Sequence, residues 1–217
     1  MALSSNCALH VHDLILLRTE SAVISTEGGP ACPYLNPNRR PWLVVRRDRI
    51  SDGLIPVGVR GSQRHERCAG FTRWSEVLEI RQPDQLRLTP ADDSRGALQP
   101  FRTLSYLERH LIGLDMSWGP GGSVGYELAS GIPSVRADSD LDVILFAPGK
   151  LEITEAQDLW RMINSAPGKV DALVETPFCG FSLKEFVTTL PRKILLRTSD
   201  GGILGSNPWN LSNGEDS

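Results

Sequence analysis

Residues 140–146, DLDVILF, and 170–176, VDALVET, alternate carboxylates with apolar residues on a period of two. In an extended strand alternate side chains share a face, so Leu141, Val143 and Leu145 turn one way and Asp140 and Asp142 the other. The second segment likewise puts Asp171, Leu173 and Glu175 on one side. A sheet with one face in a core and carboxylates on the other is therefore expected in the second half of the chain.

Around these strands the periodicity turns helical. Phe101, Leu104, Leu107 and Leu111 are spaced for a helix over 101–113 that stops at Gly113. Ala156, Leu159, Trp160 and Ile163 form a second apolar stripe, with Thr154 and Gln157 spaced as a capping box. Ser182 and Glu185 open a third helix carrying Leu183, Phe186 and Val187, and KILLRT (193–198) is a last strand. Between the first helix and the DLDVILF strand, residues 118–133 open with a Gly-rich turn. This mixture of helices and strands is an α+β or α/β pattern.

The first part reads differently. Residues 27–41 are a loop by their Gly, Pro and Asn content, and PWLVVRR (41–47) and LIPVGVRG (54–61) read as short strands. Residues 62–81 have a mixed pattern. Residues 82–100, QPDQLRLTPADDSRGALQP, have linker composition. The expected organisation is a smaller domain over 1–84 and a second over 85–217. A length of 217 residues fits one to two domains.

Composition removes several function classes. No run of 18 apolar residues exists, so no membrane span is expected, and the N-terminus lacks the basic start of a secretion signal. Cys7, Cys32, Cys68 and Cys179 have no CxxC spacing, so reduced thiols and a cytoplasmic location are expected. The net charge of −3 conceals two blocks. Residues 39–73 hold nine arginines against three acids, and residues 137–185 hold nine acids against four bases. Nucleic acid is disfavoured because the balance is acidic and no aromatics interleave the arginines. A basic block beside a carboxylate block suits a metal-dependent enzyme acting on a phosphorylated substrate.

The chemistry centres on Asp140 and Asp142. Two carboxylates at one strand end can hold a hard cation through oxygen ligands. Backbone amides at Gly121-Gly122-Ser123 can approach a phosphate with no Cβ in the way, and Ser123 adds a hydroxyl. A neighbouring strand could bring Asp171 beside the pair as a third carboxylate, with Glu175 as the competing choice. Arg60, Arg64 and Arg67 would share a face if 60–67 were helical. Trp118 is a candidate for stacking on a nucleobase. His12 and Asp13 read as a structural pair, and Cys179 as a buried thiol.

A Gly-Ser turn, DxD on a strand and a carboxylate on a later strand resemble the nucleotidyltransferase superfamily of the DNA polymerase β type. More closely, GSVGYELASGIP and SDLDVIL with VDALVETPFCGFSLKEF resemble the phosphoribosyl-dephospho-CoA transferases of malonate decarboxylase, the holo-acyl carrier protein synthases of that system. HDLILL (12–17), IPVGVRGSQRHERCAGF (55–71) and the 194–209 segment extend the likeness over most of the chain. Sixteen residues separate Ser123 from Asp140, a longer interval than in the wider superfamily.

The resemblance implies an α+β, nucleotidyltransferase-like mixed sheet with helices, preceded by the smaller basic domain. It implies transfer of the phosphoribosyl-dephospho-CoA group from 2′-(5″-triphosphoribosyl)-3′-dephospho-CoA to a serine on the acyl-carrier subunit of malonate decarboxylase, with release of pyrophosphate. Asp140 and Asp142 would hold Mg²⁺, and Asp171 or Glu175 would complete the site or take the serine proton. Gly122, Ser123, Arg60, Arg64 and Arg67 would bind the substrate, the arginines across a cleft between the domains. A nucleotidyltransferase with another acceptor, or a non-catalytic binding module, are the alternatives.

Overall fold

A computed structural model describes residues 9–25, 32–49, 53–61, 65–189 and 192–211. The chain divides into two compact units, Met1–Pro83 and Asp84–Ser217.

The first unit is a six-stranded antiparallel sheet. In chain order its strands are β1 (Leu14–Leu17), β2 (Ile24–Ser25), β3 (Trp42–Val45), β4 (Leu54–Arg60), β5 (Arg67–Arg73) and β6 (Val77–Arg81). They lie side by side as β2-β5-β4-β3-β1-β6. Ile15, Leu17, Leu43, Val45, Ile55, Val57, Val59 and Val77 make its core. Alternation in WLVV and LIPVGVR supplies that core from one face, as branched residues on a half-buried strand do.

The condition for a shared arginine face is not met here, and the expectation of reduced thiols fails for one pair. Arg60 closes β4 and Arg67 opens β5, and the two are register partners across a hairpin. Both residues therefore lie on strands and not on one helical face, and residues 62–64, Arg64 among them, lie outside the described residues. Cys32 and Cys68, 36 residues apart, form a disulfide with Cα atoms 6.1 Å apart. Sequence spacing gave no sign of this pair, since β5 carries Cys68 to a loop residue far away in the chain.

The second unit holds α1 (Pro83–Leu86, beginning one residue before the division), α2 (Gln99–His110), β7 (Ser117–Pro120), α3 (Gly122–Ser130), β8 (Leu141–Phe146), α4 (Ile153–Asn164), β9 (Val170–Glu175), β10 (Gly180–Ser182), α5 (Leu183–Thr189), β11 (Ile194–Thr198) and β12 (Gly201–Gly205). Its sheet order is β12-β11-β10-β9-β8-β7. Among the described residues of this sheet only β8 and β9 run parallel, joined through α4, so the sheet is mixed and the architecture is α+β.

The core lies on one face of this sheet. Leu141, Val143, Leu145, Ala172, Val174, Phe181, Ile194 and Leu196 meet Phe101, Leu104 and Leu107 of α2, Ala156, Leu159 and Ile163 of α4, and Leu183 and Phe186 of α5. Trp209 meets Phe181 and Phe186 edge to face with ring centroids 5.5 and 5.8 Å apart, a geometry that aromatic quadrupoles favour, and the two phenylalanines are tilted at 47° with centroids 5.1 Å apart.

Several local expectations shift. The capping box of α4 is Glu152 with Glu155, two residues before the Thr154–Gln157 pair, so the helix starts earlier. At α5, Ser182 Oγ accepts the Glu185 amide at 3.3 Å, but the Glu185 carboxylate turns to the Leu195 amide at 3.0 Å. The linker-like 82–100 stretch contains α1. The Gly-rich turn follows strand β7, not the preceding helix, because Trp118 and Pro120 pair with Leu145 and Val143.

Candidate active site

The carboxylate face of the second sheet is built by register. In the parallel ladder Asp142 pairs with Asp171 and Phe146 with Glu175. Asp142 and Asp171 are thus neighbours on adjacent strands, at the ~4.8 Å spacing of a ladder. Glu175 lies four residues farther along β9, roughly 13 Å away at ~3.3 Å per residue. Of the two competing carboxylates, Asp171 is the one beside Asp142. Glu175 is buried against Gly180, where a Cβ would meet its Oε1 at 2.5 Å.

Asp140 is exposed and sits one residue before β8, not within it. The ladder begins at Leu141, whose amide donates to the Lys169 carbonyl at 2.9 Å. Asp140 is therefore placed by the segment leading into the strand.

The Gly-Ser turn joins this face. The Gly121 amide donates to the Asp142 carbonyl at 2.9 Å. Gly122 opens α3 with φ +52°, and the Asp142 carboxylate fills the space where its Cβ would stand. Gly121 caps the helix with no side-chain hydrogen bond to its first turn. Ser123, nearly buried, follows in that turn. Gly122, Ser123, Asp142 and Asp171 are thereby gathered, with Asp140 at the strand entry.

Among the described residues, no three His, Cys, Asp or Glu side chains are grouped to hold a metal. A cage made by the protein alone is absent there. Mg²⁺ is commonly held by one or two carboxylates plus substrate phosphates, and the Asp142–Asp171 pair beside a glycine-lined helix start fits that donor set.

The other candidates fall elsewhere. Arg60 and Arg67 belong to the first unit, and Arg64 lies outside the described residues. Trp118 is 2% exposed and covered by the Arg87 guanidinium 5.3 Å from its ring, which removes it as a surface for a base. Cys179 is buried, its Sγ donating to the Pro208 carbonyl at 3.3 Å, beside the hub formed by Thr176 Oγ1. His12 takes φ 76° in a turn that Asp13 closes by accepting the His10 amide at 2.8 Å.

Sequence reasoning missed Arg95 and Glu127. The Glu127 carboxylate, 7% exposed, accepts from Arg95 Nε, from Arg95 Nη2 at 3.1 Å, and from the amides of Ser134 and Val135 at 2.6 and 2.7 Å. Burial alone would raise its pKa. The Arg95 hydrogen bond and the two amides outweigh that and hold it below the ordinary glutamate value. The one signal was a glutamate among the apolar residues of GYELAS.

Comparison with known proteins agrees with this two-part organisation. Residues 85–208 match the Phosphoribosyl-dephospho-CoA transferase MdcG C-terminal domain, and residues 10–83 match the corresponding MdcG N-terminal domain. The chain belongs to the phosphoribosyl-dephospho-CoA transferase family, a family of transferase enzymes. The phosphoribosyl-dephospho-CoA transferase of Klebsiella pneumoniae (strain 342) is 33% identical over 205 residues, covering 91% of this chain and 95% of that protein. That of Pseudomonas aeruginosa is 30% identical over 210 residues, covering 93% and 94%. The Azotobacter vinelandii protein of the same name is 34% identical over 171 residues, covering 77% and 79%. No solved structure matches the chain significantly. No helix among the described residues is long and apolar enough to cross a membrane.

Proposed function

We propose that this chain moves the phosphoribosyl-dephospho-CoA group from 2′-(5″-triphosphoribosyl)-3′-dephospho-CoA onto a serine of the acyl-carrier subunit of malonate decarboxylase, on a nucleotidyltransferase-like second domain. The observation that carries the reading is the in-register pair Asp142–Asp171 beside Gly122. Two ionised carboxylates on neighbouring strands repel by ~1 kcal/mol even at the dielectric of water. A divalent cation reverses that sign.

In this reading the serine Oγ attacks the α-phosphorus, a new P–O bond forms, and the bond to the β-phosphate breaks to release pyrophosphate. Asp140, Asp142 and Asp171 would hold Mg²⁺, which supplies charge neutralisation for the polyphosphate. Amides at the start of α3 and the Ser123 hydroxyl orient phosphate oxygens, since the first N–H groups of a helix have no partner within it. Asp171, exposed at the start of β9, is the carboxylate assigned to take the serine proton. Arg60, Arg64 and Arg67, on the first unit, are proposed as phosphate-binding residues on their charge alone.

The test is to incubate the purified protein with Mg²⁺, the triphosphoribosyl substrate and the carrier subunit, and to read intact carrier mass. A gain equal to the prosthetic group, with one pyrophosphate released per carrier, is expected. An unmodified carrier overturns the assigned acceptor.

A further inference from the structure

Glu127 is a buried carboxylate that the reaction above does not use. Replacing a buried, bonded ion pair by well-packed apolar residues is often neutral or stabilising. Stability alone therefore does not account for its presence, and its partners indicate what else it does. Arg95 reaches it from the segment before α2, and Arg95 Nη2 also donates to the Val135 carbonyl at 2.7 Å. The Ser134 and Val135 amides complete the set. Three segments meet there: the approach to α2, helix α3, and the loop leading into β8.

That loop carries Asp140. After Val135, which is buried in the core, the Ser139 amide donates to the Arg136 carbonyl at 3.1 Å, and the Arg136 amide donates to Ser139 Oγ at 3.0 Å. Leu141, again buried, is fixed to β9 through the Lys169 carbonyl. Residues 136–140 are therefore a short bridge between two fixed points. The clamp at Val135 sets one of them. It is fastened to α3 one helical turn after Ser123, so it ties the position of Asp140 to the Gly122–Ser123 turn.

We propose that Arg95 and Glu127 are positioning residues that hold Asp140 in register with the start of α3, where the phosphates and Mg²⁺ of the proposed reaction would bind. The inference rests on that functional reading for its catalytic part. Its structural part stands independently.

The test compares Arg95→Gln, Arg95→Lys and a core control, Ile163→Val, with wild type. Arg95 is partly exposed, so its variants are better tolerated than truncation of Glu127. In Arg95→Gln, amide hydrogen exchange over 134–142 is expected to rise at least tenfold. The Mg²⁺ concentration for half-maximal transfer is expected to rise about tenfold, and kcat to fall about 10–100-fold, the range for residues that orient metal ligands. Arg95→Lys is expected to recover part of both. Ile163→Val is expected to lower Tm without moving the Mg²⁺ dependence. Unchanged exchange over 134–142 in Arg95→Gln overturns the inference, as does a Mg²⁺ dependence equal to wild type. If wild type itself modifies no carrier, the transfer reading falls, and the exchange arm alone decides for or against the clamp.

Discussion

The Asp142 carboxylate lies in the space that any side chain at residue 122 would occupy. Gly122 also has a left-handed φ of +52°. Two independent constraints, one steric and one conformational, thus require glycine where the helix start meets the carboxylate face.

Gly122→Ala tests both. The left-handed backbone costs ~1–2 kcal/mol for a residue with a Cβ, and the methyl group must displace Asp142. Transfer is expected to fall at least about 100-fold, and Tm by several degrees. The measurement is the carrier-labelling rate alongside a thermal melt. Wild-type activity in this variant would show that Asp142 need not hold its observed position.

Asp142→Asn keeps size and removes charge. Transfer is expected to fall by at least about two orders of magnitude at saturating Mg²⁺, with Tm unchanged or raised because the repulsion from Asp171 is relieved. Asp140→Asn and Asp171→Asn are expected to act in the same direction. Glu175→Gln is expected to act chiefly on stability, since Glu175 is buried at the far end of β9. A kinetic loss at Glu175 larger than at Asp171 would reverse their roles.

Acid stability reports on Glu127. Its folded pKa is depressed relative to the unfolded value of ~4.3. The carboxylate therefore contributes its full stabilisation above about pH 4.3, and loses it as pH falls through the lower folded value. Below about pH 4.3, the wild-type Tm is expected to drop more steeply than that of Glu127→Gln. Parallel curves for the two proteins would contradict the assignment.

The Cys32–Cys68 bond closes a loop of 36 residues. By the chain-entropy relation, such a closure is worth ~3–4 kcal/mol. Dithiothreitol is expected to lower the urea midpoint of the oxidised protein to that of Cys68→Ser, and to leave the variant unaffected. A midpoint indifferent to reductant would mean that the bond contributes nothing to the first sheet.

In the second core, Phe181 is fully buried and touches the rings of both Phe186 and Trp209. Phe181→Ala is expected to cost ~3–5 kcal/mol, read as a shift in the urea midpoint at an unchanged slope.

Local pattern was enough for the elements that alternate or repeat regularly. The strands at β8, β9 and β11 and the apolar stripes of α2 and α4 follow from side-chain period, since burial of one face leaves little other choice. Asp142 and the Gly122–Ser123 turn were legible for the same reason, because a carboxylate on the far side of an apolar strand and a double glycine are local signals, whereas Asp140, expected on that strand, falls one residue before it. Strands β1, β2, β7 and β12 are short or Gly-rich, and gain their order from their partners. A shared face for Arg60 and Arg67 depended on a helix over 60–67, and an eight-residue window cannot reveal that the two residues pair across adjacent strands.

The sequence by itself determined which faces are apolar, where carboxylates accumulate and where the backbone must lack a Cβ, because these depend on neighbours within a few residues. Tertiary structure alone decided that Asp171, and not Glu175, stands beside Asp142, that Cys68 meets Cys32, and that Glu127 fastens the approach to Asp140. Each of those depends on strand register or on contacts between residues far apart in the chain, and register is fixed only when whole faces are buried together.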